Sequence, residues 1–134
     1  MSKAEDKIAA LLKSNPKIKY LREYTNPTLK HNGHLLRFDF AIVNNYNDAL
    51  PKILIEYDGE QHFYQVKHFQ KTTSKFKQAQ ERDRIKNSWA LRNNIKLIRI
   101  PYWELENLTY EKIFNTEKYI VKTKWFNDYL TPPN

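Results

Sequence analysis

The chain has 134 residues, with 23 Lys and Arg against 15 Asp and Glu, a formal charge of +8. Nine Tyr, seven Phe and three Trp are too many large apolar groups for a disordered basic tail, and the length suits one core. The absence of Cys excludes disulfides, thiolate zinc sites and Cys nucleophiles.

In chain order, Ser2 followed by Glu5 forms a capping box that opens a helix running to about residue 14. Ile8, Leu11 and Leu12 make its apolar stripe, and Asn15-Pro16 ends it. Residues 18–24 read as a strand, with Asn26-Pro27 and Asn32-Gly33 punctuating the loop after it. In 35–43 the alternation of Leu36, Phe38, Phe40 and Ile42 predicts a second strand with those four on one face. A turn centred near residues 47–48 leads to a third strand over 52–57, which ends at Asp58-Gly59. Helical spacing from about Ser74 to Asn93 follows, with Asn93-Asn94 able to supply a left-handed cap. Residues 95–100 form a fourth strand, and a last helix covers about 109–122. The aromatic tail of Trp125, Phe126 and Tyr129 is expected to pack back on the body. The order is αβββαβα, and the third and fourth strands, joined through a helix, should be parallel. No apolar run is long enough to span a membrane and no signal-peptide core opens the chain, so a soluble, cytoplasmic protein is expected.

The charge is unevenly placed. Residues 67–99 hold ten basic and two acidic residues, which is the whole surplus of eight. Asp39, Asp48, Glu56, Asp58 and Glu60 make residues 39–60 acidic instead. A basic stretch beside an acidic cluster suits a nucleic-acid partner and a cation.

Pairing the second and third strands about their turn sets Val43 against Lys52 and Asp39 against Glu56. Opposed carboxylates on a sheet repel, and Glu56 inside ILIEY is a charge in an apolar strand, which is costly without a partner. With Asp58 two residues on, three carboxylates should converge on one face. A bound hard cation such as Mg2+, or a carboxyl with a raised pKa, would account for them. His62, four residues beyond Asp58, has a reference pKa suited to a general base. Glu5 lies beside the inward stripe of its helix. Asp83, one of two acids in the basic helix, lines up with Phe76, Ala79 and Ala90 and should face the sheet.

The stretches RFDF (37–40), ILIEYDGEQHF (53–63) and RDRIKNSWALRNNIKLIRI (82–100), with Tyr102, resemble the catalytic domain of very-short-patch-repair-like endonucleases. The likeness is greatest to the phage homing endonuclease branch, which carries an E…D…x…H…D signature on a PD-(D/E)XK core. It covers residues 3–104 and implies a restriction-endonuclease-like αβββαβ fold with a mixed four-stranded sheet, 1–134 being one domain and 105–134 its C-terminal helix and aromatic tail. It implies Asp39 as the metal-binding Asp, Glu56 as the variable third-strand acid completing the site, with the Tyr57 carbonyl, and His62 as the general base. Glu5 and Asp83 match the two acids of the flanking helices. One departure is plain: where the wider superfamily has Lys, this chain has Asp58, which could join the metal set. The repair enzymes' structural zinc ligands and mismatch-wedging aromatics have no counterpart.

The expected function is a Mg2+-dependent DNA endonuclease, with Mn2+ able to substitute. Lys67, Lys71, Lys75, Lys77, Arg82 and Lys86 would hold phosphates. One such site cuts one strand, so cutting both calls for a homodimer, a partner protein or two successive events. The expected setting is a bacterial or phage-infected cell. The alternatives are a degenerate nuclease that only binds nucleic acid and an enzyme cutting RNA or another phosphodiester.

Overall fold

A computed structural model describes residues 2–60 and 71–125, with side chains from residue 74 in the second stretch. Helix α1 (Lys3–Lys13) opens as its sequence dictates: the Ser2 hydroxyl accepts the Glu5 N–H and donates to the Glu5 carboxylate at 2.9 Å. Its buried face is Ala4, Ile8, Ala9 and Leu12. Strands β1 (Lys19–His31), β2 (His34–Val43), β3 (Ile53–Asp58) and β4 (Lys96–Pro101) form one sheet in the order β1-β2-β3-β4. The first three run antiparallel in turn, and β3 and β4 are parallel, joined through α2 (Lys71–Arg92). This is an α/β fold on a mixed four-stranded sheet, in the element order the sequence implies.

β1 is longer than expected because Asn26-Pro27 does not stop it. The Asn26 side chain accepts the Thr28 N–H and hydroxyl, and the strand absorbs the proline in a register shift between Thr25 and Lys30. It then continues to a tight hairpin at Asn32 (φ 51°) and Gly33 (φ 78°), with His31 paired to His34. The Asn-Gly pair is thus a hairpin turn within a continuous β1–β2 ribbon.

The expected single face of β2 is also corrected. Phe40 and Ile42 pack with Ile8, Leu12, Ile55, Ile98 and Ile100 beneath α1, whereas Leu36 and Phe38 pack with Ala41, Leu54, Trp89 and Leu97 beneath α2. The side changes at Asp39, which no ladder pair includes although Arg22↔Phe40 and Tyr24↔Phe38 flank it. On β1 the residue between those flanking positions is Glu23, at φ 54°. A left-handed residue there turns the strand and breaks the alternation.

α2 turns Asp83, Asn87 and Ala90 inward, with Trp89 also buried and its indole donating to the Thr28 hydroxyl at 3.0 Å. Asn94 (φ 57°) supplies the left-handed cap, and the Ile95 N–H returns to the Ala90 carbonyl. The C-terminal helix is short: α3 spans Tyr110–Asn115, followed by a 3-10 turn at Glu117–Tyr119 and a bridge from Ile120 to Ile98. Ile113 and Tyr119 join the α1-side core. Trp125 does not pack back; its ring stays exposed beneath Lys124, and Phe126 and Tyr129 lie outside the described residues. Among the described residues no helix is long and apolar enough to cross a membrane.

Candidate active site

The β2–β3 ladder consists of Ile42↔Ile53, Ala41↔Leu54 and Phe40↔Ile55, the offset expected from the turn centre. One step further, Asp39 and Glu56 come abreast and their side chains take over the ladder. The Asp39 N–H donates to Glu56 Oε1 at 2.7 Å, and the Tyr57 N–H donates to Asp39 Oδ2 at 2.8 Å. Each strand's carboxylate thus caps a backbone donor of the other, which holds the two like charges side by side. From α2, Lys86 places its ammonium 2.7 Å from Glu56 Oε2 and 5.1 Å from the Phe38 ring centroid.

Asp39 titrates accordingly. Burial, then the Glu56 charge, and to a lesser extent Glu5, push its carboxyl up to about 7, against the lowering effects of the Tyr57 N–H and Lys86. Among the described residues one ammonium, that of Lys86, stands against this set of acids. Among the described residues Asp39 Oδ1 has no hydrogen-bond partner, and Asp39 lines a cleft of about 900 Å³.

That cleft lies between the start of α1, the β1–β2 ribbon, the end of β3 and α2; Glu5, Glu56, Tyr57, Asp83, Arg82 and Lys86 all line it. Glu5 therefore has both roles weighed for it, as cap partner of Ser2 and as an acid of the cleft. Arg37 lines the cleft too, its guanidinium paired to Glu23 at 3.1 Å.

Asp58 does not join Asp39 and Glu56, and the convergence of three carboxylates is corrected to two. Asp58 is fully buried and bound by Arg99 of β4 at 2.7 Å. The same guanidinium, also fully buried, reaches Asp83 at 3.4 Å and Asn87 Oδ1 at 2.9 Å. Asp83 thus faces the sheet, as expected, and meets Arg99 there. Arg99 is the residue that sequence reasoning missed. Its signal was available: it interrupts IKLIRI as Glu56 interrupts ILIEY, and a charge in an apolar strand calls for a buried partner.

Of the basic residues expected on phosphates, Lys75, Lys77 and Arg82 are exposed. Lys86 is turned in toward Glu56 rather than out along the helix. Arg84 pairs with Glu81 and Arg99 is sealed, so the basic surplus of 67–99 is not wholly a surface feature. Lys67 and His62 lie outside the described residues, as does the side chain of Lys71. Among the described residues no three His, Cys, Asp or Glu side chains stand together as a metal cluster. The oxygens on offer are those of Asp39 and Glu56, a hard donor pair that fits Mg2+, which usually takes one or two carboxylates and fills the rest with water and phosphate.

No protein-family profile matches the chain, and no solved structure matches it. A stretch of 59 residues is 37% identical to Uncharacterized protein 307L of Invertebrate iridescent virus 6, covering 44% of this chain and 30% of that protein.

Proposed function

We propose that the chain is a Mg2+-dependent DNA endonuclease domain of the very-short-patch-repair-like, PD-(D/E)XK type. The observation that carries the reading is the Asp39–Glu56 pair, two adjacent carboxylates in a cleft that among the described residues share one ammonium and leave one oxygen of Asp39 open. A divalent cation there would offset charge on the scissile phosphate and acidify the attacking water.

The chain's own residues do the rest. Asp39 and Glu56 fix the cation's place, because each is tied through the other strand's backbone and holds its rotamer. Glu5 and Asp83, on opposite walls, would orient water and the general base, and His62 takes the base's role by likeness to the family. Arg82 at the rim, with Lys75 and Lys77 on the exposed face of α2, would grip phosphates without reading sequence, so binding should weaken steeply with salt. Arg99 holds Asp58 in the interior, so the metal-holding role falls to Asp39 and Glu56. Such an enzyme would act in a cytoplasm, as a bacterial or phage-type nuclease, and one active site per chain means nicking unless two copies or a partner act together.

The test is incubation of the purified chain with supercoiled plasmid and Mg2+ or Mn2+, with EDTA and Asp39→Ala as controls, alongside thermal unfolding with and without metal. The expected result is nicking that both controls abolish, and a metal-dependent rise in melting temperature that Asp39→Ala loses. DNA binding indifferent to metal and to Asp39→Ala, with no nicking, would establish the non-enzymatic binding module instead. Cleavage of RNA but not DNA would keep the chemistry and change the substrate.

A further inference from the structure

Glu56 stands between a cation the chain supplies and one it is proposed to bind. Its Oε1 accepts the Asp39 N–H, and its Oε2 holds the Lys86 ammonium at 2.7 Å, with the two side chains only 12% and 5% exposed. An ion shared by Asp39 and Glu56 therefore has to take Oε2 from Lys86. The ammonium has another anchor when that happens, because it already lies over the Phe38 ring, 5.1 Å from its centroid, where cation–π attraction keeps it in the cleft. Lys86 and a divalent cation would then stand as neighbours of like sign. Only an anion between them resolves that, and a phosphodiester has two non-bridging oxygens to give, one to each. The strand position two past Glu56 cannot supply this charge, since it is Asp58 and is bound to Arg99.

We propose that Lys86 is the cleft's exchangeable cation: its ammonium holds Glu56 in the metal-free chain, cedes Oε2 to a divalent ion, and then binds a phosphate oxygen of the scissile strand. The exchange at Glu56 rests on the ion-pair geometry and on the proposed metal site. The phosphate contact rests on the nuclease reading above. No bond is made or broken in the exchange, only ionic partners, so it is readable without catalysis.

The experiment uses the full chain and two variants, Lys86→Met and Lys86→Arg, in Mg2+ and Mn2+ titrations without DNA, followed by plasmid nicking at saturating metal. Removing the competitor should tighten metal binding in Lys86→Met by roughly three- to tenfold. The same variant should nick more slowly by about 100-fold, with Lys86→Arg recovering part of the rate. Unchanged or weaker metal binding in Lys86→Met overturns the exchange. Tighter metal binding with a wild-type nicking rate overturns the phosphate contact. If the wild-type chain binds metal yet cuts no plasmid, the nuclease reading fails, and the metal titration still decides the exchange at Glu56. Should Lys86→Met not fold, Lys86→Gln, whose amide can still reach Glu56 but carries no charge, takes its place.

Discussion

Two acidic clusters lie within a few residues of each other on β3, and they are built differently. Asp58 and Asp83 share Arg99 in the interior, where Asn87 satisfies the guanidinium Nε. Asp39 and Glu56 share Lys86 at the edge of a cleft, and Asp39 remains an acid with a carboxyl pushed up to about 7. The first cluster has a rigid, forked cation buried among its acids, with Asp83 at the cleft wall; the second has a single-point cation that ligands can replace. A carboxylate in an apolar strand thus marks a site only when its partner leaves it incompletely satisfied and accessible. Asp39, partly exposed on the cleft, meets that condition and Asp58 does not.

The comparison breaks most visibly at the two cations. Arg99→Met should destabilise the fold by about 3–5 kcal/mol, because it leaves Asp58 and Asp83 buried beside an apolar chain. Lys86→Met should cost less, about 1–3 kcal/mol, since Glu56 keeps the Asp39 N–H and borders the cleft. Urea unfolding of both variants at pH 7.5 measures the contrast. Equal losses would mean that the Lys86 pair is as structural as the Arg99 cluster.

Next in size is Asp39→Asn, which should abolish nicking and the Mg2+-induced rise in melting temperature while stabilising the metal-free fold. The sign follows from a folded pKa raised above its unfolded value. Below about pH 4 the Asp39 carboxyl is protonated in both states and contributes no penalty. Between about pH 4 and 7 the unfolded chain ionises while the folded one resists, so stability falls, and above about 7 the full penalty remains. Asp39→Asn should therefore match wild type near pH 4 and exceed it by ~1–2 kcal/mol above pH 8, a figure reduced for the partial exposure of Asp39. Paired unfolding curves across pH, without metal, test this. A variant less stable than wild type at pH 8 would show that the carboxylate's bond to the Tyr57 N–H outweighs its repulsion from Glu56.

How much of this the sequence carries depends on whether the cause is local. The Asp39–Glu56 pairing was legible because a turn centre fixes every register position along a hairpin. The cap at Ser2 and the left-handed Asn94 were legible because each is chemistry of one or two residues. The swap of faces between Phe38 and Phe40 was not, since it arises from the left-handed Glu23 on the neighbouring strand, and Glu has no special preference for that conformation. Pro27 read as a stop because sequence shows the missing N–H but not the bulge that accommodates it. The fate of Asp58 turned on Arg99, 41 residues away, whose choice among several nearby acids follows from three-dimensional packing.

The smallest expected effect tests whether the cleft's acids act together. Glu5 contributes less than burial and Glu56 to raising the Asp39 carboxyl, and it reaches Asp39 across the cleft. Glu5→Gln keeps an oxygen for the Ser2 hydroxyl, so α1 should stay capped. The Asp39 midpoint, followed by carboxyl carbon NMR without metal, should then fall by roughly 0.2–0.5 units at low salt, with half or less of that shift remaining at 0.5 M salt. Asp83→Asn should leave the midpoint where it is, because Arg99 already faces the Asp83 charge inside the fold. If Asp83→Asn moved Asp39 as far as Glu5→Gln does, the two clusters would be one electrostatic unit, and the separation drawn between a sealed and an open set of acids would fail. If instead Glu5→Gln leaves the midpoint untouched yet slows nicking, Glu5 acts on water or on the base rather than on the metal-holding carboxylate.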